Sequence, residues 1–95
     1  MRVTLEELRA SAERLFAHLE ARGYKDLEVD EDYYWEIEEA QRYDPTKEPS
    51  GFSMGQLSDD MSEVRRILGG EAPPVARGLV WLAAVLRRVG EQAIG

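Results

Sequence analysis

The chain has 95 residues, of which 43% are hydrophobic and 33% charged, and its formal net charge at pH 7 is −7. Folded domains commonly contain about 100 to 150 residues, so this length predicts a single domain over residues 1–95 with a thin core. The composition is typical of a soluble globular chain. Because the sequence has no cysteine, it excludes disulfides, zinc–thiolate sites and cysteine nucleophiles.

The acidic excess lies in one segment. Residues 24–49 carry ten acidic and three basic side chains, which accounts for the whole net charge. Nucleic-acid binding needs clustered Lys and Arg to displace condensed counterions, so we expect no nucleic-acid partner. The N-terminal string MRVTLEEL lacks the apolar core of a secretory signal, and no apolar run approaches the roughly 20 residues that span a bilayer. We therefore expect a cytoplasmic protein that has no membrane contact.

An amphipathic helix is predicted over residues 4–22. Thr4 and Glu7 fit a capping box, and Gly23 can adopt the left-handed conformation that ends a helix. The apolar side chains that recur at helical spacing are Leu5, Leu8, Ala12, Leu15, Phe16 and Leu19.

A strand with one wet face is predicted from Leu27, where the apolar pattern changes to a period of two. Its apolar side holds Leu27, Val29, Tyr33, Trp35 and Ile37, and Glu31 interrupts that side. We expect Tyr33 and Trp35 to lie in the core. A turn at residues 38–40, a second strand at residues 41–44 and a proline-punctuated loop at residues 44–51 would follow.

A second helix is predicted from Ser53, with Gln56 at the capping-box position and Phe52 and Leu57 forming a hydrophobic staple. Gly69 and Gly70 would end it. The residues of its predicted core stripe are Leu57, Met61, Val64 and Leu68, with Ile67 beside them.

A third helix is predicted over residues 75–93, after two prolines. Its predicted core stripe consists of Val75, Leu79, Leu82, Leu86 and Val89. Other apolar residues, Trp81 and Val85 among them, fill much of the remaining surface. We therefore expect this helix to be central in the core or to be partly covered by another chain.

Together these elements predict an α+β fold: one N-terminal helix, a two-stranded antiparallel hairpin, then two helices packed on the hairpin's apolar face. A two-stranded hairpin is marginal alone and exposes its edges. The last helix also carries more apolar surface than a small monomer easily hides. Both features favour a homodimer.

One catalytic motif appears in the sequence. Residues 51–55 spell GxSxG, the string that places a serine nucleophile on a strand-to-helix turn in α/β-hydrolases. That fold needs a histidine after the serine, whereas the single histidine, His18, precedes it. We interpret Ser53 as a helix N-cap and expect no catalytic residues.

The carboxylates suggest a second enzyme hypothesis, a small metal-dependent nucleotide pyrophosphohydrolase. Its metal ligands would come from Glu36 with Glu39, and from Asp59, Asp60 and Glu63. Alternating acids on a strand more often form a solvated face, and the last helix lacks the acids that such sites use. We therefore expect neither a metal nor another cofactor.

A protein-binding surface is the favoured hypothesis for the acidic side of the strand. Tyr34 falls between acidic residues there, and exposed tyrosines are enriched at interfaces because a rigid ring buries area at a low entropy cost. The candidate interaction surface is Asp30, Asp32, Tyr34 and Glu36.

Three strings, DYYWEI, GQLSDDM and LVWLAAVLRRVGE, resemble a set of small uncharacterised bacterial proteins. These share a DYYWxI strand, a GQLSDD helix start and an LAxxLRxxGE C-terminal helix. The resemblance covers about residues 29–91 and implies no activity.

The sequence thus favours a non-enzymatic acidic protein-interaction module with a basic protein as a partner. An immunity-like or antitoxin-like inhibitor that occludes a basic site is one alternative, and the nucleotide pyrophosphohydrolase is the other.

Overall fold

The computed structural model describes residues 1–29, 33–37 and 52–94. Its elements follow in the order α1 (Leu5–Ala21), β1 (Tyr33–Ile37), β2 (Phe52–Gln56), α2 (Leu57–Leu68) and α3 (Gly78–Gln92). The described residues are mostly helical, because the helices contain 17, 12 and 15 residues and the two strands only five each.

The predicted α+β fold, with a two-stranded hairpin covered by two helices, is wrong. The chain is mostly helical, and its short strand pair joins β1 to β2, a segment that the sequence assigned to the start of a helix. The strand was predicted from Leu27, but residues 27–29 are not part of a strand, and β1 as described covers Tyr33–Ile37. The predicted turn at residues 38–40, strand at 41–44 and loop at 44–51 lie outside the described residues.

The pairing of β1 with β2 also corrects the start of the second helix. The strands are antiparallel, with Tyr33 opposite Gln56 and Ile37 opposite Phe52. Ser53 therefore lies within β2, and α2 begins at Leu57 after Gln56, whose side chain makes no capping hydrogen bond. The physical reason is that β1 needs hydrogen-bond partners for its backbone, and this long-range demand outweighs a local capping pattern.

The predicted ends of α1 are confirmed. The Glu7 amide donates to Thr4 Oγ1 over 3.1 Å, and the Thr4 amide donates to Glu7 Oε1 over 2.5 Å, so both halves of the capping box are present. At the other end Gly23 has a φ of +95°. The Tyr24 amide donates to the Leu19 carbonyl and the Gly23 amide to the Glu20 carbonyl, the two bonds of a Schellman motif.

The same motif ends α2, as the glycine pair predicted. Gly70 has a φ of +78°. Its amide donates to the Ile67 carbonyl over 3.2 Å, and the Glu71 amide donates to the Arg66 carbonyl over 2.9 Å. Both helices thus end where a glycine accepts a backbone conformation that side chains disfavour.

The chain divides into two compact units, Met1–Glu28 with Gln92–Gly95, and Val29–Glu91. In the first unit, the backbone amide and carbonyl of Ile94 each form a hydrogen bond. Its amide donates to the Tyr24 hydroxyl over 3.0 Å, and its carbonyl accepts from Arg22 Nε over 3.1 Å. The Gln92 side chain also donates to the Glu28 carbonyl. The single domain stays a prediction.

The core of the second unit is small. Among the residues whose exposure the structure describes, Leu57 is the one buried hydrophobic side chain, with 6% of its surface exposed. Met61, Val64 and Ile67 of α2 are half-buried. A Cβ placed on Gly78 would lie 3.3 Å from Ile67 Cδ1, so the start of α3 comes close to α2.

The predicted core stripes of α2 and α3 are partly wrong. Leu68 is 83% exposed and Leu79 is 67% exposed. The half-buried residues of α3 are Gly78, Trp81, Leu82, Ala84, Val85, Arg88, Val89 and Gln92. The close approach of Gly78 to Ile67 explains the change, because it turns the face that begins at Gly78 inward, instead of the face that holds Leu79.

Among the described residues, no helix combines the length and the apolar character that crossing a bilayer requires.

The Thr4 cap provides a test of the α1 boundary. Thr4→Ala should lower the free energy of unfolding by about 1 kcal/mol, because the Glu7 amide loses its acceptor. Thr4→Ser keeps the hydroxyl, so its free energy of unfolding should lie within a few tenths of a kcal/mol of the parent's, about the uncertainty of the measurement. Urea unfolding followed by circular dichroism measures both, and an equal loss in the two variants would contradict the cap.

Two glycines of α3 form a matched pair. A Cβ on Gly90 would meet no atom within 4 Å, so Gly90→Ala should raise the free energy of unfolding by about 0.5–1 kcal/mol through helix propensity. Gly78→Val places a branched side chain against Ile67 and should lower it by about 1–3 kcal/mol. If Gly78→Val leaves the free energy of unfolding unchanged in the same urea experiment, the close approach to Ile67 does not limit the size of the side chain at position 78.

Candidate interaction surface

The predicted acidic surface is only partly within the described structure. Asp30 and Asp32 lie outside the described residues. Tyr34 and Glu36 occupy alternate positions of β1, with their backbones opposite Gly55 and Ser53. This arrangement keeps the two residues on the same face of the strand by position. The four-residue surface itself stays a prediction.

Tyr33 is not a core residue. Its side chain is 60% exposed at the first position of β1, opposite Gln56. The sequence placed it inside because it follows the apolar alternation. A ring at the end of a five-residue strand can extend past the paired region, and the period alone does not reveal where that region stops.

The GxSxG string does not form a nucleophile elbow. Such an elbow places its serine on the turn between strand and helix. Ser53 is instead the second residue of β2, paired in register with Glu36, and the helix starts four residues later at Leu57. The interpretation of Ser53 as an N-cap is wrong for the same reason.

The carboxylates of α2 do not meet as a metal site. Within the residues that the structure describes, no group of three or more His, Asp or Glu side chains is placed to hold a metal ion. Glu63 is 3.4 Å from Arg66 one turn along α2. Glu39, which the metal hypothesis pairs with Glu36, lies outside the described residues.

The apolar face of α1 is the surface that the sequence analysis missed. The α1 stripe is the set Leu5, Leu8, Ala12, Leu15, Phe16 and Leu19. Four of its side chains are exposed: Leu5 by 74%, Leu8 by 51%, Leu15 by 65% and Phe16 by 46%. Every residue of α1 is described, and none is buried. The periodicity was visible in the sequence, but it does not distinguish a covered apolar face from an open one.

A second apolar area lies on α3, within the other unit. Leu79, Val80 and Leu86 are exposed by 67%, 42% and 37%. The sequence anticipated that this helix has more apolar surface than the chain can hide. Its exposed part is smaller than the α1 stripe, because Leu82 and Val85 between these residues are half-buried.

A charged cluster lies near the end of α3. Glu91 accepts hydrogen bonds from Arg87 Nε and from an Arg88 terminal nitrogen, each over 3.1 Å. These hydrogen bonds lower the pKa of Glu91 below its ordinary value of 4.5, and the bond from Arg87 has the largest effect, with that from Arg88 next. The two arginines thus neutralise this acid within the helix, which favours a structural role over a binding role.

No protein-family model matches the sequence, and no curated protein or solved structure matches it either. The resemblance to small bacterial proteins stays a prediction. The function is therefore inferred from the chain's own residues.

The Glu91 cluster predicts a pH dependence. Because the pKa of Glu91 is lower in the folded chain, the stabilisation by Arg87 and Arg88 is present above the ordinary glutamate pKa. This stabilisation should disappear as the pH falls through the pKa that Glu91 has in the folded chain. In an NMR titration, Arg87→Ala should raise the Glu91 midpoint, whereas Arg65→Ala on α2 should leave it unchanged. Equal midpoints in the parent and Arg87→Ala would contradict the hydrogen bond.

Proposed function

We propose that this chain is a non-enzymatic protein-interaction module and that the α1 stripe is its binding surface. The observation that carries the proposal is the exposure of Leu5, Leu8, Leu15 and Phe16 on one face of one helix. Contiguous exposed apolar surface is costly in water, and large examples mark sites that another molecule covers.

The chemistry of α1 suits helix recognition. An amphipathic helix binds by placing apolar anchors at positions i, i+3, i+4 and i+7 against an apolar surface of its partner. Leu8, Ala12, Leu15 and Leu19 follow this spacing. The opposite face carries Glu6, Glu13 and Glu20 with Ala10 and Ala17, and all five are exposed. One face can therefore be covered while the other stays in water.

The formed helix also lowers the cost of binding. A segment that must fold on its partner loses conformational entropy at that moment. In α1 the capping box at Thr4 and the Schellman motif at Gly23 already specify both ends. The anchors of the α1 stripe are thus held at fixed spacing before a partner arrives, which supports a binding role.

The acidic segment supports a further part of the proposal, namely a basic protein as one partner in the cytoplasm. Ten acids against three bases in residues 24–49 give a local field that attracts positive charge. Asp30, Asp32, Tyr34 and Glu36 are the proposed contacts of this second surface. Such binding depends on charge, so it is distinct in kind from apolar binding by the α1 stripe.

Site-specific photocrosslinking tests the α1 stripe. A photoreactive amino acid replaces Leu15 in the cell that naturally makes the protein, and a matched variant carries it at Ala10, which lies on the opposite face. We expect protein adducts from position 15, none from position 10, and loss of the adducts when Leu8→Glu is added. Mass spectrometry identifies the crosslinked chain.

Equal crosslinking from both positions would show non-specific exposure. Adducts that persist with Leu8→Glu would show that the contact does not depend on the α1 stripe. Either result would overturn the proposed surface.

A further inference from the structure

We infer that the molecule covering the α1 stripe is a second copy of this chain, bound through an antiparallel pair of α1 helices. This inference rests on the proposed function and names its partner. The evidence is the spacing, the symmetry and the charge of α1 itself.

The spacing of the stripe is that of a helix-pairing seam. Its leucines and alanine occur at positions 5, 8, 12, 15 and 19, alternating steps of three and four residues. This is the a/d pattern by which two helices interlock side chains along their length. The 17-residue helix presents it over about 25 Å.

The seam is also self-complementary. Its positions are nearly symmetric about Ala12, which is half-buried. In a dimer with twofold symmetry, residue i of one copy contacts residue j of the other, and j contacts i. An antiparallel pair centred on Ala12 places Leu5 opposite Leu19 and Leu8 opposite Phe16. The small side chain at the centre lets the two helix axes approach closely.

The charge on α1 favours this partner over a basic one. Residues 1–23 contain four basic and four acidic side chains, so this segment has no net charge although the chain carries −7. Two copies can therefore meet here without strong local repulsion.

The distribution of charge along α1 selects the antiparallel orientation. Glu6 and Glu7 lie in the first turn, while Arg22 is the C-cap residue. An antiparallel pair brings Glu6 and Glu7 of each helix toward Arg22 of the other. A parallel pair would bring like ends together, which is unfavourable.

The oligomeric state of the full chain tests the inference. Sedimentation equilibrium up to about 100 µM protein, a range that covers micromolar association, should give twice the 10.8 kDa mass of one chain. Leu15→Glu should raise the dissociation constant about 100-fold or more, because each dimer loses two apolar contacts. Ala10→Glu adds the same charge to the opposite face and should leave the constant within about twofold.

Salt distinguishes the second copy from a basic partner. Two chains of −7 repel each other at long range, and salt screens that repulsion. Self-association through the α1 stripe should therefore strengthen as salt rises, whereas binding of a basic protein to the acidic segment should weaken.

Disulfide trapping tests the orientation, since the natural chain contains no cysteine. A mixture of Leu5→Cys and Leu19→Cys chains should form a mixed disulfide under mild oxidation, because an antiparallel pair places these positions opposite each other. Neither variant alone should crosslink to itself. Efficient self-crosslinking of Leu5→Cys would show a parallel pair and overturn the inference.

The remaining outcomes separate this inference from the proposed function. A 10.8 kDa mass at every concentration, with adducts to a different protein at position 15, overturns the second copy and leaves the interaction module standing. A monomer that Leu15→Glu destabilises, with no adducts at position 15, shows that the chain covers its own stripe and overturns both. A dimer that Leu15→Glu does not weaken also overturns the inference.

Discussion

The antiparallel pairing of β1 with β2 is the constraint on which the second unit depends. It holds residues 52–56 in an extended conformation and so delays the start of α2 to Leu57. Leu57 is the buried hydrophobic residue among those whose exposure the structure describes. The position at which a strand becomes a helix thus decides which side chain enters the core and sets the phase of every later residue of α2.

Little apolar surface is removed from water elsewhere in the described chain. A small domain buries a smaller share of its surface than a large one, because surface grows relative to volume as size falls. In this protein the consequence is visible on α1 and α3, where Leu15 and Leu79 are 65% and 67% exposed. The ends of α1 and α2 are therefore specified by local backbone and capping hydrogen bonds, and the exposed apolar face of α1 is the surface that we propose for a partner.

We propose different partners for the α1 stripe and for the acidic segment, because the two differ in chemistry. An apolar seam with no net charge favours a copy of itself, because shape and burial dominate and repulsion is small. A segment with ten acids and three bases favours a basic partner, because its field acts over distance. The two proposed roles use different segments of the chain, residues 5–19 and residues 24–49, so self-association and binding of a basic protein are compatible proposals.

Features that depend on a few neighbouring residues were determined by the sequence alone. The capping box at Thr4, the stops at Gly23 and Gly70 and the amphipathic character of α1 all follow from contacts within one or two turns. The resulting predictions for the extent and ends of α1 are confirmed to within one residue at each end. The apolar residues of the candidate site, the α1 stripe, were predicted in the same way.

Tertiary structure decided the remaining features, because these features depend on residues that are far apart in the chain. The pairing of β1 with β2 joins segments separated by residues 38–51, and it converted a predicted N-cap at Ser53 into a strand. The close approach of Gly78 to Ile67 likewise joins two helices, and the half-buried face of α3 begins at Gly78. The exposure of the α1 stripe was likewise not given by the sequence, because a 3.6-residue period shows that a face is apolar but not whether anything covers it.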